Sequence, residues 1–320
     1  MRAFGYLLLA AILVASSAAE AATSVSVNAP SLTVGDMWTY RTNTSLTRGL
    51  GLEGRVTLTV IGRGTIAVEG HTFDAYTFSV AGSGTASGTF ATRFGSTKAS
   101  GDWRIAGQEV VDVRGLKILS TVLDLEANGT LHTNPIPLPF LLSVQNTTSY
   151  RLDVGPWQFP LAVGAAAVVS SRMNFTEDFH LVYSGFSPPP THSAGIVWWN
   201  VTYGLDAAVG VDPPAGHFDA YPIRETYPDG SVTVSFFAPT AGNHARTEAH
   251  NRTSTVGTAD LVSYRYQALE PPTFLGLTSD RWALVAIVIG VVGVILILWS
   301  RRKRKPATPP DAPPATPPTT

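Results

Sequence analysis

Two short stretches of the chain place a histidine, an aspartate and a tyrosine within a few residues of one another. They are GHTFDAY at residues 70–76 and GHFDAY at residues 216–221. An imidazole beside a carboxylate is a common general base, but catalysis needs further partners that neither stretch supplies. Repetition of one structural unit explains the pair better. We therefore predict core aromatic rings and turn-bonding aspartates at the repeated positions, which are Phe73, Asp74, Tyr76, Phe218, Asp219 and Tyr221.

The other residues that could carry chemistry are sparse. Of the seven histidines, only His244 and His250 are close in sequence, and on one strand they would stand about 20 Å apart, too far to share a metal ion. We expect both at the surface without a ligand. No motif typical of zinc proteases, serine hydrolases or phosphate-binding loops occurs. The sequence thus predicts a protein that is not an enzyme, with no catalytic residue, cofactor or metal.

The segment 198–203, WWNVTY, is the most aromatic part of the chain. On a strand Trp198 and Trp199 point to opposite faces, so one should pack inward and the other outward. Core packing with a glycan contact is the simpler interpretation. The alternative is that the exposed ring stacks on a ligand or partner, which makes Trp198, Trp199 and Tyr203 the candidate contact residues.

Composition excludes several classes of protein. The 320 residues carry a net charge of −1 and no cysteine, which excludes disulfides and cysteine-bound metal centres. Residues 23–280 contain 21 acidic and 15 basic residues, a net charge of −6. A mildly acidic segment of this kind has no long-range attraction for nucleic acid.

Two apolar segments resemble membrane signals. Residues 1–21 have the basic start, short apolar run and small-residue end of a secretory signal peptide, with an uncleaved anchor helix as the alternative. Residues 282–299 are uncharged and apolar, with a tryptophan at each end. As a helix they would be about 27 Å long, enough to cross a bilayer, although a buried soluble helix is the alternative.

The basic run RRKRK at 301–305 follows this span, and it predicts that the C-terminal end of the span faces the cytoplasm. Residues 300–320 would then be a basic, proline-rich cytoplasmic tail. Its P-x-x-P spacings could bind an aromatic groove, but a solvated tail is the simpler interpretation. We therefore expect an integral protein of the cell membrane with one span, an extracellular N-terminal part and a cytoplasmic C-terminus.

Six of the nine asparagines stand in N-x-S/T sequences, and all six lie between the two apolar segments. This distribution predicts a glycoprotein whose intervening part faces the exterior. Asn128 is the best acceptor, because ANGT at 127–130 is typical of a hairpin turn. The glycosylation candidates are Asn43, Asn128, Asn146, Asn174, Asn200 and Asn251.

Short runs of alternating apolar and polar residues occupy the segment between the apolar ends. In RVTLTVI at 55–61, Val56, Leu58 and Val60 share one face. No long 3.6-residue period occurs there, so we predict a mainly β, antiparallel structure in which each sheet has one apolar face. Further runs occur at 109–113, 116–126, 231–237 and 261–269.

A longer self-similarity surrounds the repeated FDAY motif. LTVGDMWTY begins at Leu32 and LAVGAAAVV at Leu161, and each precedes a β-rich run that reaches FDAY. Gly35 and Gly164 are 129 positions apart but the two motifs are 145 apart, so the second copy is longer by 16 residues, most of which we place at 184–195. We predict two tandem curved-sheet units, half-barrel or sandwich-like, at 32–153 and 154–269, a stalk at 270–281 and one transmembrane helix at 282–299.

The stretch NPIPLPFLL at 134–142 has alternating prolines. Proline cannot donate to a sheet ladder, so the pattern argues against a central strand. We expect an extended flap that covers an apolar face.

Four motifs together resemble a known repeat: VGDMWTY at 34–40, EGHTFDAY at 69–76, PAGHFDAY at 214–221 and FFAPTAG at 236–242. The repeat belongs to secreted, membrane-anchored proteins of archaea and some bacteria, and is similar to the open half-barrels of periplasmic lipoprotein carriers. The resemblance implies a strongly curved antiparallel sheet with a concave apolar face. Members of that group mostly lack a known activity, so the resemblance informs the fold more than the function.

Two functions are compatible with these features. One-faced strands and a proline-rich flap favour a non-catalytic binding module that holds an apolar or lipid-like ligand. The alternative is a structural or interaction protein of the cell envelope, whose outer face contacts a surface layer or another cell. The expected partners are therefore the membrane and either an apolar ligand or an envelope protein, and not nucleic acid.

Overall fold

The computed structural model describes residues 25–45, 49–92, 95–133, 136–152, 157–183 and 187–267. The chain divides into two units, Met1–Gln267 and Ala268–Thr320, and every described residue belongs to the first. The described residues form strands and no helix. The strands are β1 Ser26–Val27, β2 Met37–Ser45, β3 Leu50–Val68, β4 His71–Thr92, β5 Gly95–Asp112, β6 Ile118–Leu131, β7 Leu138–Leu152, β8 Leu161–Ala162, β9 Ala166–Tyr183, β10 Thr191–Leu205, β11 Val209–Val211, β12 Phe218–Thr226, β13 Val232–Ala238, β14 Asn243–His250 and β15 Thr255–Arg265.

Twelve of these strands form one closed antiparallel sheet. The order around the ring follows the chain, from β2 to β7, then β9, β10 and β12 to β15. Two pairings complete the closure: Leu261 of β15 lies opposite Tyr40 of β2, and Leu205 of β10 lies opposite Ile223 of β12. The prediction of a mainly β, antiparallel structure is confirmed, and the curved sheet is a closed barrel with an enclosed interior.

Two short pairings lie outside the ring. β11 pairs with β12, where Val211 lies opposite Phe218. β1 pairs with β8 in a separate two-stranded sheet, where Val27 lies opposite Leu161. Both of these latter residues are buried, so this small sheet contributes apolar side chains to the core.

The two halves of the chain contribute equally to the ring. Residues 32–153 supply β2 to β7, and residues 154–269 supply the other six ring strands. The turn before the first strand of each half also has the same geometry. The backbone N–H of Gly35 donates to Val60 O and that of Gly164 donates to Leu205 O, both at 2.8 Å. Both glycines have positive φ, 96° and 85°, a conformation that glycine adopts without steric cost.

The extra length of the second half lies in one hairpin. Met37 of β2 lies opposite Thr59 of β3, and Ala166 of β9 lies opposite Gly204 of β10. These positions differ by 129 and 145, the same offsets that separate the glycines and the FDAY motifs in the sequence. The hairpins therefore share a register at their base, and the 16 additional residues lengthen the β9–β10 hairpin toward its tip.

Alternation along the strands sends apolar side chains into the ring, as the pattern at 55–61 predicts. One core surrounds Trp38, whose side chain is fully buried beside Phe78 and Leu261. A second surrounds Trp103, where β3 to β7 and β9 pack together. A third surrounds Trp157. The side chains inside the ring therefore pack in separate clusters.

Residues of the VGDMWTY motif form hydrogen bonds that hold the first ring strand close to the C-terminal part of the ring. Asp36 is buried, and its carboxylate accepts hydrogen bonds from the backbone N–H groups of Thr33 (2.8 Å) and Gln267 (2.9 Å). Trp38 Nε1 donates to the carbonyl of Ala241, 203 positions away, at 2.7 Å. Buried polar groups that are satisfied in this way specify one arrangement of the chain.

The turn predicted at 127–130 is wrong. Asn128 and Gly129 lie inside β6, and Asn128 pairs with Asp102 on one side and Leu141 on the other. Gly129 serves a different purpose there. A Cβ at Gly129 would lie 2.5 Å from Gly101 Cα on the neighbouring strand, so the close approach of the two backbones requires glycine.

The flap predicted at 134–142 is also wrong for the residues that the structure describes. Residues 138–142 begin β7, which pairs with β6 on one side and β9 on the other. Pro139 is the second residue of the strand and lies opposite Thr130, and pairing with β9 starts only at Phe140. Proline is tolerated at this position because its missing N–H is not needed at the end of the ladder.

Candidate functional site

A large cavity occupies the interior of the closed sheet. Its volume is about 980 Å³, at the upper end of the range of small-molecule pockets. A second cavity of about 350 Å³ borders it. Thr42, Val56, Thr247 and Ala259 line both, so the two spaces meet at this ring of four side chains and together form an elongated interior.

Most of the cavity wall is apolar and comes from both halves of the chain. Inward positions of the strands supply Leu58, Phe78, Val111, Val169 and Ile223, and the connecting segments add Leu32, Leu116, Trp157 and Phe159. The indole of Trp157 packs against the ring of Tyr203 with centroids 5.2 Å apart. Such a wall favours a ligand with a long apolar surface, because burial of that surface drives binding.

Two glutamates, one aspartate and four tyrosines also line the larger cavity: Glu109, Glu225, Asp229, Tyr40, Tyr150, Tyr203 and Tyr227. Tyr227 Oη donates to Glu225 Oε2 at 2.8 Å. Burial raises the pKa of both Glu109 and Glu225 above the ordinary glutamate value, and for Glu225 the hydrogen bond from Tyr227 opposes part of this rise. The carboxyl groups therefore lie in a poorly solvated environment, where a charge needs a partner.

Tyr150, Tyr203 and Tyr227 keep their protons at every physiological pH. Burial raises the pKa of Tyr150, Tyr203 and Tyr227, and the charge of Glu225 raises all three further. The charge of Glu109 likewise raises the pKa of Tyr150. The cluster thus combines carboxylate acceptors with neutral hydroxyl groups that both donate and accept.

His244 lines the same cavity, so the expectation that it is a surface residue is wrong. It is on β14, where its ring packs edge-on against Phe237 at 6.2 Å. Tyr40 Oη donates to its backbone carbonyl at 3.0 Å. Burial lowers the pKa of His244 to about 4, so the imidazole is neutral at pH 7. His250 ends the same strand, with Nε2 3.3 Å from Glu248 Oε2.

Lys117 is the one lysine or arginine among the cavity-lining residues of the described chain. Burial lowers its pKa, and the nearby charge of Asp112 partly restores it. Neither Glu109 nor Glu225 forms an ion pair with lysine or arginine among the residues that the structure describes. On the outer wall, in contrast, Arg104 binds Glu126 at 2.6 Å.

The first FDAY motif stands at the start of β4. Tyr76 is in the core, and its hydroxyl accepts from the backbone N–H of Leu32 at 3.2 Å. Phe73 is half-buried. The expected bond from Asp74 to a turn amide is absent among the described contacts, because Asp74 instead accepts from Arg63 Nη2 at 3.0 Å across the β3–β4 pair.

The second motif stands at the start of β12, the third ring strand of its half, as β4 is of the first. Phe218 is buried and Tyr221 is half-buried. Asp219 is exposed, and the nearest charge is His217 Nε2 at 3.9 Å from its Oδ1. His217 Nδ1 is closer to Asp212, at 2.7 Å. No turn amide bonds Asp219 among the described residues, so the predicted role of this carboxylate is also wrong.

The aromatic segment on β10 divides between the cavity and the surface. Tyr203 faces the cavity, whereas Trp198 is 61% exposed and borders its edge. The side chain of Trp199 lies outside the described residues. The three candidate contact residues therefore do not form one described patch.

The candidate glycosylation sites stand on strands or at a turn. Asn43, Asn128 and Asn200 are exposed on strands, and Asn251 is exposed in the turn between β14 and β15. There its Oδ1 accepts from the backbone N–H of Ser254 at 2.8 Å. The remaining two, Asn146 and Asn174, are half-buried, which leaves less room for a glycan.

The apolar segments at 1–21 and 282–299, the stalk at 270–281 and the tail at 300–320 lie outside the described residues. Within the residues that are described, no helix has the length and apolar character needed to cross a membrane. The same residues contain no group of three histidine, aspartate or glutamate side chains placed to hold a metal ion.

No protein-family model, no curated protein and no solved structure matches this chain. The cavity is therefore the main structural feature from which a function can be inferred.

Sequence patterns alone do not identify Glu109, Tyr150, Glu225, Tyr227 or His244 as cavity residues. A signal was present for the glutamates. Glu109 shares its strand face with Val111, and Glu225 shares its face with Ile223, so each places a carboxyl group on an apolar face. Such positions are unusual unless the group has a role.

Proposed function

We propose that the chain binds an elongated, mainly apolar ligand inside its closed sheet and does not transform it. The observation that carries the proposal is the cavity of about 980 Å³ with apolar walls from both halves of the chain. A void of this size lined by apolar groups forfeits packing energy in the empty protein. A ligand with a matching apolar surface would restore that energy.

We further propose that this binding module belongs to a single-pass cell-surface glycoprotein built from two related half-barrel units. Support comes from the sequence: the apolar run at 282–299, the basic run at 301–305 and the clustered N-x-S/T sites. The equal strand contributions of the two halves and the matching Gly35 and Gly164 turns support the duplication. Protease shaving of intact native cells should remove the residues before the span and spare the tail; cleavage of the tail alone would reverse the orientation.

The binding proposal can be tested with an uncharged fluorescent probe, N-phenyl-1-naphthylamine, which brightens in an apolar site. Ala259 lines both cavities, and the variant Ala259→Phe places a ring where they meet. We expect the probe to bind the purified full-length chain and its affinity to fall about tenfold or more in Ala259→Phe, since ~1.4 kcal/mol of lost apolar contact suffices for that factor.

Ala194→Phe is the matched control, because Ala194 is exposed on β10. It should leave probe affinity unchanged. Equal probe binding by both variants would show that the probe occupies another place, and absence of probe binding to the unmodified chain would remove the main support for the proposal.

One observation favours a second function, contact with another envelope protein. Trp198 and Ile196 are 61% and 55% exposed on β10, and Val168 is 56% exposed on the adjacent β9. Exposed apolar side chains on neighbouring strands are typical of interaction surfaces. Crosslinking from position 198 on intact native cells should then capture a defined envelope protein; capture of none would count against this function.

A further inference from the structure

The polar cluster of the cavity indicates which head group the ligand carries. This inference rests on the proposed function, since it concerns the same cavity. Glu109 on β5 and Glu225 on β12 both line it. Glu225 lies opposite Tyr203 of β10 in the ladder, and its carboxylate accepts from Tyr227 Oη at 2.8 Å. A carboxylate therefore stands beside two tyrosines at the cavity wall.

The charge of this region is not balanced by the described part of the protein. Among the described residues, Lys117 is the only lysine or arginine that lines the cavity, and the charge next to it is that of Asp112. The imidazole of His244 is neutral at pH 7, and none of its ring nitrogens has a hydrogen-bond partner within the described ranges. Half-buried carboxylates in an apolar cavity are unfavourable without a cation, and a cation supplied by a ligand would relieve this cost.

The surroundings of the carboxyl groups suit a cation that carries an apolar chain. The hydroxyls of Tyr150, Tyr203 and Tyr227 can accept hydrogen bonds from an ammonium group. The rings of Tyr203 and Trp157, packed at 5.2 Å, present the aromatic faces that attract organic cations. The apolar space beyond them leaves room for the chain.

We propose that the cavity takes amphipathic amines, with the protonated nitrogen at Glu225 and the apolar chain along the inner wall. In this arrangement the ammonium group donates to the carboxylate of Glu225, and the hydroxyls of Tyr203 and Tyr227 complete its shell. The specificity comes from charge, because the apolar wall binds any chain of suitable length.

Three probes with the same chain and different head groups test this proposal: dodecylamine, dodecanol and dodecanoate. Each would be titrated near neutral pH into the purified full-length chain holding N-phenyl-1-naphthylamine, with the protein-free medium measured in parallel. We expect dodecylamine to displace the probe at least about tenfold more tightly than dodecanol, as charge-assisted hydrogen bonds allow, and dodecanoate to be the weakest.

Glu225→Gln should remove most of the preference for dodecylamine and keep the affinity for dodecanol. Retained dodecanol binding shows that the variant folds. Glu53→Gln, at an exposed position of β3, is the control and should keep the preference.

Each outcome has a distinct meaning. If dodecanol binds as tightly as dodecylamine, or if the preference survives in Glu225→Gln, the head-group proposal is overturned while the apolar-ligand proposal stands. If none of the three probes displaces the fluorophore, the apolar-ligand proposal itself fails.

Discussion

His244 and the two glutamates show how a closed sheet places polar side chains away from bulk water. Each is on a strand whose alternate residues face inward, and each opens into the cavity. Burial moves the pKa of His244 down and those of Glu109 and Glu225 up, in both cases toward the neutral form. The stability of the protein should therefore depend on pH through these few residues.

The histidine gives a quantitative prediction. Its pKa is about 4 in the folded chain and about 6.5 in the unfolded chain. Between these values the unfolded state binds more protons, so stability is full above pH 6.5 and falls as the pH drops toward 4. We expect the free energy of unfolding of the original chain to fall by about 3 kcal/mol relative to His244→Gln across this interval.

Urea unfolding of both full-length proteins, followed by circular dichroism from pH 6.5 to pH 4, measures this difference. The glutamates contribute a slope of opposite sign, because their raised pKa values favour the folded state at low pH, but they are present in both proteins and cancel. Parallel pH profiles for the two proteins would contradict a buried, neutral His244.

The turns before β2 and β9 have the same geometry, and this likeness relates the two halves of the chain. The positive φ of Gly35 and Gly164 could be expected from the sequence, because each glycine precedes a β run in the VG pair of the repeat. The lengthened β9–β10 hairpin also agrees with the 16-residue difference. The predictions for the Asn128–Gly129 pair and for residues 136–142 are wrong, because neighbouring backbones, which sequence alone does not show, decide what glycine and proline do there.

Alanine at either turn glycine should cost a similar amount. A Cβ at Gly164 would meet nothing within 4 Å, and one at Gly35 would make only an ordinary contact with Arg265 at 3.6 Å. The cost is therefore that of the backbone conformation, about 1–2 kcal/mol, for both Gly35→Ala and Gly164→Ala.

Gly64→Ala provides the matched control, since a Cβ there also meets nothing within 4 Å and φ is not positive. Its effect on the free energy of unfolding should be within about 0.5 kcal/mol. A cost at one turn glycine but not at the other, in the same urea titration, would contradict the equivalence of the two turns.

At the scale of the whole molecule, the decisive feature is closure of the sheet. The alternating pattern at 55–61 predicts that Val56, Leu58 and Val60 share an apolar face, but it does not say what covers that face. Closure depends on pairings between distant residues, such as Leu261 with Tyr40 and Leu205 with Ile223. These pairings leave no local signal in the sequence, so the closed ring could not be located from it, although the apolar strand faces that carry Glu109 and Glu225 could be recognised.

Crystallography of the full-length chain with 1-bromododecane tests the central claim most directly, because bromine gives an anomalous signal that locates the chain end without interpretation of weak density. We predict a bromine peak inside the ring, within contact distance of inward side chains such as Leu58 or Val169. Bromine found only on the outer face near Trp198, or no bound bromine at saturation, would contradict the assignment of the interior as a ligand site.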